Sequence, residues 1–479
     1  CDDLDPVVKT AAGVVTLFET SLGGDRFKRT DLKFGDHHSE HPTKVQNLTV
    51  DRTKRVQKIV GFGGSFTDAT GYTISTLPDA LQKHIIDDYF SAKGVEYNLN
   101  RLPIGGADYS RRAYSYDDGH DGDLELKQFA LTDEDKTYKI PYMKLAKQVS
   151  PHTQKFFGSP WSAPAWMKTN NELHHGGYLK GNPGEQYYKA FAKYFVKFLD
   201  AYKEQGLDMW GVTIENEPSA GSQPTYEFNS MGFTKEIQKD FLVKDLGPAL
   251  SAAGYGPDKL QVMIFDDQRD HIHEWAQYIF SDKEAAKLAA GTAFHWYQNN
   301  KDNIGNLKKT LDADPTKFII NSEASVSVNK KENPNQGDWG NGLENTVRDI
   351  IDDLNNYVSG WVNWNMALDL QGGPNWAGFK AYAPILIDAA NKTYYKQPSF
   401  YGLGHISKFI LPDSYKLDFH ETTKIDRYQN TAAVRADGGV VVVIMNSSDD
   451  LVEININDAG QKLSHYVKPH TLQTYIYWL

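Results

Sequence analysis

Eight short apolar runs, separated by helical stretches, fill the middle of this 479-residue chain and constrain its fold more than any other feature. They are Ile59–Phe62, Tyr97–Arg101, Lys155–Gly158, Met209–Ile214, Gln261–Phe265, Thr292–His295, Phe318–Ile320 and Val358–Val362. Between them lie stretches such as Gln186–Lys203, whose aromatic and aliphatic residues recur at three- and four-residue spacing, as on one face of a helix. Strand and helix alternating eight times is the pattern of a (β/α)8 TIM barrel of class α/β, which needs about 250 residues or more, and the interval 59–405 holds them. The two ends read differently. Val14–Phe18, Phe27–Phe34 and Lys44–Val50 at the start, with Val440–Met445, Val452–Ile456 and Leu472–Tyr477 at the finish, are β-branched or aromatic runs broken by Gly and Asp. Their spacing predicts an accessory β-sandwich built from both chain ends, residues 1–58 plus 406–479.

Charge and composition exclude several function classes. A net charge of −11 without a long Lys/Arg run leaves no footprint for a phosphate backbone, so nucleic acid is not an expected partner. The longest wholly apolar run, Val440–Met445, falls far short of the roughly 18–20 residues of a membrane-crossing helix, and no transmembrane span is expected. Cys1 is the sole cysteine, which allows neither an internal disulfide nor a cysteine zinc site. Gly61-Phe62-Gly63-Gly64-Ser65-Phe66 lacks the third glycine of a dinucleotide loop, and no Walker sequence occurs. The Asp36–His41 turn reads as a His-rich surface turn. Asp117–Asp123 fails the calcium-loop pattern at Gly119 and Gln128. No metal and no cofactor are therefore expected. Cys1–Asp5 shows neither the basic start nor the apolar core of a signal peptide, while Asn47, Asn391 and Asn446 open glycan acceptor tripeptides that tilt the reading toward a secreted, processed chain.

The residues after each apolar run are chemically loaded, as barrel enzymes require at the C-terminal ends of their strands. They include Asp68, Arg101 then Asp108, Trp161 with Trp166, Asn216-Glu217, Asp266–Arg269, His295-Trp296-Tyr297, Ser322-Glu323 and Asn363-Trp364-Asn365. Aromatic residues reach 13%, with ten tryptophans. Interleaved with Asp, Asn, Gln and His, they suit a pyranose, which offers C–H groups to a ring and hydroxyls at its rim. Glycoside hydrolysis needs two carboxyls flanking one bond, and Glu217 and Glu323 supply a pair. Glu215 shares parity with Glu217 and is its local rival, but Glu217 lies further past the apolar run, nearer the barrel mouth.

Five segments carry a family resemblance: Gly61–Ala69, Ser159–Asn170, Val212–Gly221, Phe294–Tyr297 and Gly372–Trp376. Together with Tyr194–Tyr202 and Tyr395–Pro398 they resemble glycoside hydrolase family thirty nearly end to end, and most strongly its lysosomal, glucosylceramide-cleaving branch. The resemblance implies a retaining mechanism with Glu217 as general acid/base and Glu323 as nucleophile, their carboxyls about 5–5.5 Å apart. It further implies Asp108, Trp161, Asn216 and Trp364 around the glucose, and His295, Tyr297 and Gln268 around the carboxylates. Trp296 and Phe228 would flank the aglycone, and Arg101 would be a charge partner inside the barrel. Glucosylceramide as substrate, an anionic lipid surface, a saposin-like activator and residence in the lysosomal lumen with peripheral membrane association are likewise implied. The sequence departs from the branch at Ser325, where Cys is expected, and at Phe379, where Asn is expected. A secreted β-1,6-glucanase or β-xylosidase on the same barrel is the alternative enzyme, and a noncatalytic carbohydrate- or lipid-binding protein the alternative of another class.

Overall fold

The computed structural model describes residues 3–36, 42, 44–329, 331–334 and 336–479; Cys1 and the histidines of the Asp36–His41 turn lie outside them. Eight parallel strands close into a barrel: β1 (Gly61–Ser65), β2 (Leu99–Ile104), β3 (Lys155–Pro160), β4 (Gly211–Thr213), β5 (Gln261–Gln268), β6 (Gly291–His295), β7 (Phe318–Ala324) and β8 (Gly360–Asn365). They neighbour one another in chain order, with β8 pairing β1 to close the ring. Leu99, Phe157, Met263, Ala293, Ile320 and Val362 fill the interior. Helices wrap the outside. The Gln186–Glu204 helix buries Tyr188, Phe191, Phe195, Phe198 and Tyr202, the stripe that its spacing predicts.

The Gly-Phe-Gly-Gly sequence of β1 has a packing cause. A Cβ on Gly63 would lie 2.0 Å from the Leu99 carbonyl oxygen and 2.7 Å from the Asn100 amide oxygen, so only glycine lets β1 and β2 approach this closely.

Nine antiparallel or mixed strands from both chain ends make the accessory sheet. Val14–Ser21 pairs with Thr471–Tyr477, the last strand, and the long Lys44–Lys58 strand pairs with Tyr415–Glu421 on one side and, in parallel, with Val452–Asp458 on the other. Val440–Asn446 shows how this sheet is held. Val440, Val442 and Ile444 point into the sandwich's own core with Val15, Leu17 and Ile454, while Val441, Val443 and Met445 join the cluster that also holds the barrel's outer helices. A strand buried on both faces reads as an unbroken apolar run. In this sheet Tyr415–Glu421 and Gln461–Val467 escape sequence reading, because lysine, histidine and other polar residues mask the alternation, and Tyr428–Val434 is marked in the sequence only by Val434.

Candidate active site

The chemistry gathers at the C-terminal mouth of the barrel, where the strands stop being regular. In β5 the register slips between Phe265 and Asp267, and both Phe265 and Asp266 take positive φ. In β7 it slips between Asn321 and Glu323. Such bulges re-aim single side chains: Asp266 and Glu323 turn to the barrel axis. β4 ends at Thr213, and Glu217 follows in a left-handed conformation (φ 45°) ahead of Pro218, which disfavours a right-handed helical residue before it. Strand parity therefore does not relate Glu215 to Glu217. Glu215 is fully buried with neither carboxylate oxygen hydrogen-bonded among the described residues, and burial pushes its carboxyl well up.

Glu217, His295 and Glu323 each offer one side-chain oxygen or nitrogen within 4.8 Å of the others, so the two carboxylates face each other across the mouth. Each carboxylate is held by its own set of donors. Glu217 accepts from Gln268 Nε2 (2.9 Å) and from the Tyr226 hydroxyl, and lies 3.1 Å from His295 Nδ1. Glu323 accepts from the Tyr297 hydroxyl (2.7 Å) and from the Arg101 guanidinium. Asp266 ties the two sets together: Oδ1 meets His295 Nε2 (3.0 Å) and the Ser322 hydroxyl, and Oδ2 accepts from Arg101 (2.8 Å) and Thr213. Arg101 also donates to Asn216 Oδ1 (2.9 Å) and to Ser159, and lies over the rings of Trp161 and Trp364, which stack at 5.2 Å.

Protonation follows from these partners. Burial favours the neutral His295 ring, but Glu323, Asp266 and Glu217 outweigh it and raise its pKa to about 10. Both ring nitrogens face carboxylates, so the ring is an imidazolium that donates at both ends. Burial raises Glu217, yet the His295 cation, the Tyr226 hydrogen bond and Arg101 together hold its carboxyl below the usual range. Burial, with the charges of Glu323 and Glu217, pushes Asp108 up to about 8, so it carries a proton at neutral pH.

A cavity of about 180 Å³ opens between the carboxylates, lined by Asp108, Trp161, Asn216, Trp364 and, toward solvent, Phe228 and Phe379. Asn375 of the Gly372–Trp376 turn donates to Asp108 (3.2 Å), and Trp376 bonds the Ala107 carbonyl, which explains why that motif belongs to the pocket. Trp296 stands to one side, donating to the Ser325 carbonyl and lining a neighbouring cleft. Asp108, Trp161, Asn216, Glu217, Phe228, Tyr297, Glu323 and Trp364 line this cavity, Arg101, Gln268 and His295 bond or approach its carboxylates, and of the other strand-end residues Asp68 is ion-paired with Lys139 and Trp166 bonds the Asp117 carbonyl instead. Sequence reasoning missed Asp266 and Tyr226 as site residues. Asp266 stood among the strand-end carboxylates, whereas Tyr226 lies in an irregular loop without any periodic signal.

The glycosyl hydrolase family 30 TIM-barrel model matches residues 59–410 and the family's β-sandwich model residues 413–475. The chain belongs to glycosyl hydrolase family 30. Among family 30 relatives, the lysosomal acid glucosylceramidase of Mus musculus is 38% identical over 100% of this chain and 92% of that one. The endo-1,6-β-D-glucanase BGN16.3 of Trichoderma harzianum is 30% identical over 90% of this chain and 86% of that one. Among solved structures, SrfJ from Salmonella typhimurium superposes with a TM-score of 0.87 at 26% identity, covering 97% of this chain and 100% of that one. This family 30 chain is accordingly a glycoside hydrolase with a barrel and a β-sandwich. Asn446 is fully buried and its amide donates to three backbone carbonyls, so in this fold it cannot carry a glycan.

Proposed function

We propose that this protein is a retaining β-glucosidase that hydrolyses glucosylceramide to glucose and ceramide. The observation that carries the reading is the approach of Glu217 and Glu323 within 4.8 Å across a pocket the size of one sugar, in a chain similar end to end to a lysosomal acid glucosylceramidase. Glu323, fixed by Arg101 and Tyr297, attacks the anomeric carbon. Glu217 protonates the leaving oxygen and then, as base, activates the water that releases glucose from the covalent ester. Asp108, Asn216, Trp161 and Trp364 hold the glucose, with Phe228 and Phe379 at the rim toward the ceramide. Residues 59–405 form the catalytic unit, and 1–58 with 406–479 the accessory one. We place the enzyme in the lysosomal lumen, acting at an anionic lipid surface with a saposin-like activator. Among the described residues no helix is long and apolar enough to cross a membrane, which accords with peripheral attachment.

Turnover of glucosylceramide in anionic detergent, beside β-1,6-glucan and aryl β-xyloside, tests the reading. Glucosylceramide is the expected preferred substrate, and Glu323→Gln should lose roughly a thousandfold or more in kcat. Preference for the glucan or the xyloside would overturn the substrate, and an active Glu323→Gln variant the nucleophile.

A further inference from the structure

The segment between β3 and the Gln186–Glu204 helix carries Glu172, His174 and His175 in close succession. Each offers a side-chain oxygen or nitrogen within 4.8 Å of those of the other two. Glu172 Oε2 lies 2.7 Å from His175 Nδ1 and 3.5 Å from His174 Nδ1, and the two imidazoles stack at 3.9 Å. His175 takes a left-handed φ of 63°, so two successive side chains project side by side instead of diverging.

The backbone beneath them is pinned from several directions. The Asn170 amide donates to the carbonyls of His174, His175 and Gly176 (3.0, 3.3 and 3.1 Å). The His175 N–H donates to the Tyr226 carbonyl (3.0 Å), and the Gly176 N–H to Ser230 Oγ (2.9 Å). Lys168, whose charge reaches Glu172, is committed to the Leu173 and Ser230 carbonyls (3.2 and 2.6 Å). His174 Nδ1 is buried and has no hydrogen-bond partner among the described residues; with the ring proton on Nε2 it presents a lone pair to a metal ion.

Two imidazoles and a carboxylate suit zinc and its neighbours among the divalent transition metals, whereas calcium and magnesium take oxygen donors. In a tetrahedral zinc site, bonds of about 2.0–2.1 Å place the ligand atoms about 3.3–3.4 Å apart. The 3.5 Å between Glu172 and His174 is already close to that spacing. The 2.7 Å contact with His175 is a hydrogen bond, which opens when its proton passes to solvent and the ion takes its place. We propose that Glu172, His174 and His175 bind a zinc ion, with water in the fourth position, and that this ion slows the neighbouring glucose pocket. Two contacts connect them. His174 packs against Trp376 (6.0 Å), which holds the Ala107 carbonyl (2.9 Å) beside Asp108. The His175 N–H holds the Tyr226 backbone, and the Tyr226 hydroxyl bonds Glu217. Opening the Glu172–His175 contact pulls on the second of these. The effect on turnover rests on the reading that Glu217 is the acid/base; the zinc site itself does not.

Equilibrium dialysis against Zn²⁺ and the visible absorption of bound Co²⁺ test the site in the full chain. The wild type should bind one more ion per chain than Glu172→Gln/His175→Asn, and tetrahedral Co²⁺ bands should vanish in that variant. Asn tolerates a left-handed φ, so the loop keeps its course, and circular dichroism checks the fold. His174→Gln alone should weaken zinc binding by roughly tenfold or more and replaces the double variant should that one unfold. Equal binding by wild type and variants overturns the site, as does a bound ion that is lost on His37→Asn/His38→Asn instead. Zinc should also lower kcat/KM for an aryl β-glucoside in the wild type and not in the double variant; an equal response in both, or none in either, overturns the effect on the pocket. A wild type that turns over no aryl glucoside even without metal refutes the proposed function and not the zinc site, which dialysis reads independently.

Discussion

In the proposed mechanism Tyr226 controls when Glu217, the acid/base, can act. Its hydroxyl donates to Glu217 and so stabilises the carboxylate, joining His295 and Arg101 in holding that carboxyl below its ordinary range. The first step needs Glu217 protonated, so activity on the free enzyme should fall as pH rises above that depressed value. Removing the hydroxyl withdraws one stabiliser of the charged form, which raises the Glu217 pKa. Tyr226→Phe is therefore expected to shift the alkaline limb of the kcat/KM profile to higher pH, by roughly half a unit to one unit, the scale of one lost hydrogen bond. Pre-steady-state and steady-state profiles on an aryl β-glucoside check this, and a limb that stays in place or moves to lower pH contradicts it. His295 does not set that limb, since its neighbours hold it charged up to about pH 10.

At the scale of elements, the sequence shows which strands exist but not how they end. Apolar runs mark all eight barrel strands, and the residues just beyond them include both carboxyls proposed as catalytic, because burial and barrel topology act on residue types that can be read directly. The bulges at Phe265–Asp267 and Asn321–Glu323 are settled by tertiary packing at the mouth, and no residue pattern announces them. Asp266 was invisible as the link between the two carboxylates for that reason. Glycines in β1 are a middle case: Gly61-Phe62-Gly63-Gly64 is conspicuous in the sequence, but its cause, the 2.0 Å between a Gly63 Cβ and the Leu99 carbonyl, needs the fold. Backbone cannot yield as a flexible side chain can. Gly63→Ala should cost about 1–3 kcal/mol or more, read as a lower urea midpoint with an unchanged slope. A midpoint within error of wild type would mean that β1 and β2 separate freely.

Over the whole molecule, buried acids outnumber buried bases that oppose them, and this fixes how stability depends on pH. Burial raises Asp108 to about 8, Asp267 to about 6 and Asp352 to about 6, and lifts Asp353 and Glu215 well above the usual range. Each of these binds a proton in the folded chain at pH values where the unfolded chain has released it. Stability due to them is present at the acid end and is lost as pH rises from about 4 through their folded pKa values. His295, raised to about 10, acts in the same direction above about 6.5. Lys168 and Lys416, lowered by burial to about 7 and about 8, oppose only near and above those values, and the opponent at lower pH is His405, enclosed between Thr20 and Thr474 where barrel helix meets sandwich, which burial lowers to about 3. It favours the fold increasingly as pH rises from about 3 to about 6.5, and then contributes no further slope. The sum is a protein whose thermal midpoint should fall between pH 5.5 and 8, matching the acidic compartment proposed for it. Barrel and sandwich share one apolar cluster, so calorimetry should show this as a single transition moving with pH. Asp352→Asn, which cannot release a proton, should flatten the slope between pH 5 and 7, and a midpoint that rises toward pH 8 would show that the buried acids are ionised in the fold.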